Sequence, residues 1–116
     1  MKKKIAIPIE NGKLCSHFGH CEYFYVATVN DGKIEFEQDI TPPAHEPGLY
    51  PKWVGDLGVK CVIAGGMGEK AQNLFRQENI ELCIGVEEKA PSDLINDYIS
   101  GHLKTGANSC NHHHAE

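Results

Sequence analysis

No run in this 116-residue chain approaches the roughly 18 apolar residues that a membrane-spanning helix requires. The apolar stretch after Lys2-Lys3-Lys4 covers only Ile5 to Ile9, interrupted by Pro8, which is too short for the core of a secretory signal. A cytoplasmic protein is therefore expected. The five cysteines include no C-x-x-C pair, so the spacing matches no independently folded zinc module. In a reducing compartment they read as thiols or metal ligands rather than a disulfide frame. A basic excess is also missing: 11 Lys and Arg face 16 Asp and Glu, a net charge of −5, which excludes the footprint of a nucleic-acid binder. The first strand-like segment, Lys4 to Ile9, has no carboxylate. That argues against a nuclease holding two metal ions over its sheet. There is no internal repeat, and 41% hydrophobic with 23% charged residues is ordinary for one soluble domain.

What is present is concentrated. Cys15-Ser16-His17-Phe18-Gly19-His20-Cys21 places two thiols and two imidazoles within seven residues, between two strand-like runs. Imidazole nitrogen and thiolate sulfur suit zinc, copper, iron and iron-sulfur clusters, whereas carboxylate and carbonyl oxygens suit magnesium and calcium. A second group of soft donors, Cys110 with His112 to His114, lies in a segment without a periodic apolar face. Residues 101–116 are expected to form a flexible tail after a single α/β domain spanning 1–100.

The chain order supports that division. Lys4 to Ile9 reads as a first strand followed by a turn at Glu10-Asn11-Gly12-Lys13. Glu22 to Asn30 is a second strand, and Asn30-Asp31-Gly32-Lys33 is a hairpin signal into Ile34 to Ile40, which alternates apolar and polar. Thr41 to Gly48 holds three prolines and makes a stiff connection into a short helix with Leu49, Trp53, Val54 and Leu57 on one face. Val59 to Ala64 is a buried strand ending in Gly65-Gly66-Met67-Gly68, and a helix over Glu69 to Gln77 follows. Ile80 to Ile84 is the last strand, and Pro91 opens a helix that Gly101 closes.

If the first, third, fourth and fifth strands are parallel, then Cys15 to Cys21, Pro42 to Gly48 and Gly65 to Gly68 converge at one sheet edge. Open α/β sheets bind ligands there. Cys15, His17, His20, Cys21 and His45 would line the cleft, with Gly65, Gly66, Met67 and Gly68 as its floor, where glycines allow close approach and helix amides favour an anion. Met67 offers a thioether or fills space. Glu10 and Glu46 read as solvated. Cys61 and Cys83, flanked by apolar residues within strands, read as inert core.

Taken together, the segments Ser16 to Cys21, Pro42 to Gly48, Pro51-Lys52-Trp53, Ala64 to Gly68 and Leu103 to Gly106 resemble the dinitrogenase iron-molybdenum cofactor biosynthesis family. The resemblance implies an α/β fold with an RNase H-like motif: a mixed five-stranded sheet of order 3-2-1-4-5, with the second strand antiparallel, flanked by helices. It implies a non-enzymatic carrier or sensor of an iron-sulfur or iron-molybdenum-sulfur cluster, acting with cofactor-assembly proteins as a monomer or homodimer. Small members of this kind occur in anaerobes that need not make nitrogenase. His20 and Cys21 match the family's Phe-Gly-His-Cys segment, with His17 beside them, and His45 matches its proline-rich loop. Cys15 stands where relatives more often carry serine, yet its chemistry suits a ligand. The expected metal ligands are thus His20, Cys21 and Cys15. A regulatory protein-interaction module without its own metal is the alternative, and it would present an exposed apolar patch. Cys21 beside His20 as a catalytic pair is disfavoured, because neighbours in an extended segment point to opposite faces.

Overall fold

The computed structural model describes residues 2–15, 21–42, 49–103 and 105. Among the described residues nine elements follow in order: β1 (Lys2–Glu10), β2 (Lys13–Leu14), β3 (Tyr23–Asn30), β4 (Lys33–Ile40), α1 (Leu49–Asp56), β5 (Val59–Ile63), α2 (Glu69–Gln77), β6 (Glu81–Cys83) and α3 (Pro91–Ser100). The sheet runs β4-β3-β1-β5-β6, and β2 pairs with β1 alone. Setting β2 aside, this is the expected 3-2-1-4-5 order, with β3 antiparallel to β1 and β5 parallel to it.

β1 is the central strand because both of its faces are apolar. Ile5, Ile7 and Ile9 pack with Cys61, Ile63, Leu94 and Ile95 on the side covered by α3. Ala6 lies on the other side among Phe24, Val26, Tyr50, Val54, Val62 and Phe75, beneath α1 and α2. A strand buried on both faces reads as a continuous hydrophobic run rather than an alternating one.

Two turns follow directly from local chemistry. Asn11-Gly12 and Asp31-Gly32 all have positive φ, at 56°, 81°, 52° and 78°. That is the conformation of a two-residue turn whose twist matches the flanking strands. The second turn is the expected hairpin. The first was expected as a turn only, yet it folds Lys13–Leu14 back onto β1 as an added strand, with Ile9 opposite Leu14.

β4 departs from simple alternation. Val29 faces Ile34 and Thr28 faces Phe36, so Glu35 is an extra residue in the ladder. One inserted residue reverses the facing of everything beyond it. Ile34 packs on the α3 side. Phe36, two residues on, falls on the opposite face and is 56% exposed. At the C-terminal end of α3, Gly101 adopts a left-handed φ of 79°, and Leu103 still packs on the core. Apart from Thr105, the tail from Lys104 onward, including Cys110 and His112 to His114, lies outside the described residues.

Candidate functional site

β1 is where the sheet changes direction, since the chain first adds β3 and β4 on one side and then crosses to β5 and β6 on the other. Along β1, β5 pairs only with residues up to Ala6. Ile9 pairs with Tyr23 of β3 on one side and Leu14 of β2 on the other. β2 therefore occupies the place beside β1 that β5 has left. Cys15, next along the chain, is held there by its amide donating to the Pro8 carbonyl at 2.9 Å. Pro8 has no N–H but keeps its acceptor, so a proline is compatible with this seat. This is the switch-point edge at which open α/β sheets bind ligands.

Cys15 is 2% exposed, and its Sγ donates to Glu10 Oε1 at 3.6 Å. Glu10 was expected to be solvated and is instead half-buried in contact with the thiol. The Asn11-Gly12 turn, which turns the chain back on itself, brings the two together. Cys21 arrives from the other side. The Glu22 amide donates to the Ile9 carbonyl at 2.8 Å, and Cys21 packs against the cluster that holds Phe24, Tyr50 and Met67. Burial pushes the Cys21 thiol up to about 12, with Cys15 and Glu10 pushing the same way against a stabilising backbone hydrogen bond. Three groups that would each carry negative charge thus share one corner, where a cation or a metal cluster would relieve their repulsion.

Tyr50, in the first turn of α1, belongs to this corner as well. Burial, and then Cys21, raise its phenol above the ordinary range. The sequence carries no sign of Tyr50, and it reads Glu10 as solvated rather than as part of the site. Tyr50 lacked a signal because nothing local says that α1 seats its first turn against the start of β3. The Asn11-Gly12 pair could have pointed to Glu10, since a two-residue hairpin fixes which residues face one another.

The glycine-rich turn lies at the same edge, following β5. Gly65 and Gly66 are buried and Gly68 is exposed. Met67 is buried in the core cluster, the space-filling place, while its carbonyl accepts from Gln72 Nε2 at 2.9 Å. Gly68 has an ordinary φ of −65° and caps α2 without a side-chain hydrogen bond. A Cβ built there would meet nothing within 4 Å. Of the expected ligands, Cys15 and Cys21 are thus brought together, and His17, His20 and His45 lie outside the described residues, as does Glu46.

A separate cavity of about 280 Å³ opens on the α3 side, lined by Glu87, Lys89, Asp97 and His102 among others. Lys89 lies 3.5 Å from both Glu87 and Asp97, so its charge is already matched. Among the described residues no helix is long and apolar enough to cross a membrane.

Comparison with known proteins places this architecture. An uncharacterized protein of Methanocaldococcus jannaschii is 32% identical over 85 residues, covering 68% of this chain and 71% of its own. The crystal structure of a protein designated PH0822 superposes with a TM-score of 0.85 at 28% identity, covering 93% of this chain and 98% of that one. The apo form of the orange protein from Desulfovibrio gigas shares the fold, with a TM-score of 0.73 at 17% identity over 91% of this chain and 94% of that one. The family described as dinitrogenase iron-molybdenum cofactor matches residues 1–101. The chain belongs to that family.

Proposed function

We propose that this protein is a non-enzymatic carrier or sensor of an iron-sulfur or iron-molybdenum-type cluster, or of its precursor, serving metallocofactor assembly. One observation carries the reading: at the sheet's switch point Cys15 touches Glu10, and Cys21, six residues further on, lies within electrostatic reach of both. Membership of a cofactor family supports it from an independent direction. The donor set fits such a cargo, because thiolates are the ordinary ligands of iron-sulfur clusters. Imidazoles of His17, His20 and His45 would add ligands or hydrogen bonds to cluster sulfides.

The raised Cys21 thiol argues against a nucleophilic role. A nucleophilic cysteine works through a lowered pKa, in an electropositive setting. Here burial and two acidic neighbours do the opposite. The interaction module without a metal is less well supported, since Phe36 is the sole exposed large hydrophobic among the described residues and a single exposed side chain is not a patch.

The test is anaerobic reconstitution with iron and sulfide. The wild-type chain should take up stoichiometric iron and acid-labile sulfide with charge-transfer absorption, and a His20→Ala/Cys21→Ala double variant should lose both while keeping its far-ultraviolet circular dichroism. A folded double variant that still takes up a full equivalent overturns the assignment. Gly68→Ala probes the floor of the cleft. Reduced chain entropy and a poorer helix cap nearly cancel, so stability should change by no more than about 0.5 kcal/mol. Cluster uptake should nonetheless fall several-fold if the cargo approaches this backbone, as the open space at Gly68 allows.

A further inference from the structure

Cys61 and Cys83 were expected to be inert core residues, and both are indeed buried, at 0% and 9% exposed. The register of β5 and β6, however, sets Cys61 opposite Glu81 and Ile63 opposite Cys83. The two cysteines therefore project diagonally from neighbouring strands toward the α3 side. Their Sγ atoms are 4.0 Å apart. A carboxylate oxygen of Glu81 completes a triangle in which all three candidate ligand atoms lie within 4.8 Å of one another. From this geometry we propose a second metal site, formed by Cys61, Cys83 and Glu81, for a thiophilic divalent cation of the zinc type.

Three observations converge on it. First, zinc-to-sulfur bonds are about 2.3 Å, so two sulfurs 4.0 Å apart subtend about 120° at an ion between them. Closing by about 0.2 Å gives the tetrahedral angle at that bond length, without moving either strand. Second, charge balances. Two thiolates and a carboxylate carry three negative charges, and Lys3, whose Nζ lies 2.7 Å from Glu81 Oε1 and 2.6 Å from the Tyr98 hydroxyl, supplies one positive charge. A divalent ion supplies the remaining two. Third, there is an entrance, since the Glu81 side chain is 51% exposed while the sulfurs lie behind it. The Cys61–Cys83 hydrogen bond, with burial, holds Cys61 protonated, and the same bond lowers Cys83. Both sulfurs would bind as thiolates, so binding is accompanied by proton release to solvent.

The site shares no residue with the corner at Cys15 and Cys21, so the two can be tested apart. The full chain, with Cys15, Cys21 and Cys110 all replaced by serine, is titrated anaerobically with cobalt(II) and then zinc(II), in a phosphine reductant. We expect one equivalent of cobalt with near-ultraviolet thiolate-to-cobalt charge transfer, proton release on binding, and displacement by zinc. Adding Glu81→Gln should weaken binding at least tenfold while keeping the charge-transfer band. Adding Cys61→Ser and Cys83→Ser should abolish the band. Absence of the band in the triple variant overturns the proposal, as does its survival without Cys61 and Cys83. Loss of both thiols to a disulfide oxidant such as oxidised glutathione, with no metal uptake in the reduced chain, also overturns it in favour of a redox pair. If the Cys61→Ser and Cys83→Ser changes prevent folding, the triple variant and Glu81→Gln still decide the question.

Discussion

Phe24→Ala should lower the unfolding free energy by about 3–5 kcal/mol, the usual cost of emptying a buried aromatic site. In a domain of this size that is a fall in Tm on the order of 15 °C. Phe24 is fully buried, and its ring meets Tyr50 edge-on at 5.7 Å and Trp53 at 5.4 Å between centroids. Such pairs add about 0.5–1.5 kcal/mol each beyond the area they bury. The side chain thereby ties β3 to α1, and total stability of a small domain is only about 5–15 kcal/mol. Because Tyr50 takes its place beside Cys21 from α1, the variant should also bind iron and sulfide more weakly. Phe36→Ala is the matched control: with its ring exposed on β4, it should shift stability by no more than about 0.5 kcal/mol. Thermal or urea unfolding of both variants checks this. A Phe24→Ala change smaller than about 1 kcal/mol would be incompatible with the packing described.

The second large effect is in pH. With its thiol pushed up to about 12 by burial, and further by Cys15 and Glu10, Cys21 is protonated throughout the neutral range. A metal that binds its thiolate must displace that proton. Apparent affinity should therefore rise about tenfold per pH unit for this thiol alone between pH 6.5 and 8.5, and acidification should release the cargo. For the same reason, iodoacetamide at pH 8 should alkylate Cys21 on the order of a hundredfold more slowly than an unfolded-chain cysteine, since a higher intrinsic nucleophilicity offsets only part of the lost thiolate. Iron uptake against pH, with peptide mapping of alkylation rates, measures both. A flat uptake profile would mean that Cys21 is not ionised on binding.

Much of this was legible because local chemistry suffices for it. The Asn30 to Lys33 hairpin, the helix over Glu69 to Gln77 and the glycine closing α3 each follow from nearby residues, and the structure has all three. The edge to which Cys15, Cys21 and Gly65 to Gly68 converge could be inferred from strand directions. The remainder depends on register. Two residues, Lys13 and Leu14, carry no periodicity of their own, so β2 was hidden, and with it the contact of Cys15 with Glu10. The reversal at Glu35 cannot be seen in β4 alone, because a bulge is a property of two strands. Cys61 and Cys83 are 22 residues apart, and each was rightly read as buried. Only the pairing of β5 with β6 makes them neighbours.

The two outer strands of the sheet have a consequence for self-association. A sheet border offers a row of backbone donors and acceptors on which another chain can grow. β6 has just three residues, too short a template to hold a foreign strand. β4 is longer, but it carries Glu35, Glu37 and Asp39 along its length and is bent where Glu35 is inserted. A second copy laid against it would bring the same carboxylates into register and be repelled. Brevity guards one border and like charge the other, and the acidic guard weakens as those carboxylates are neutralised.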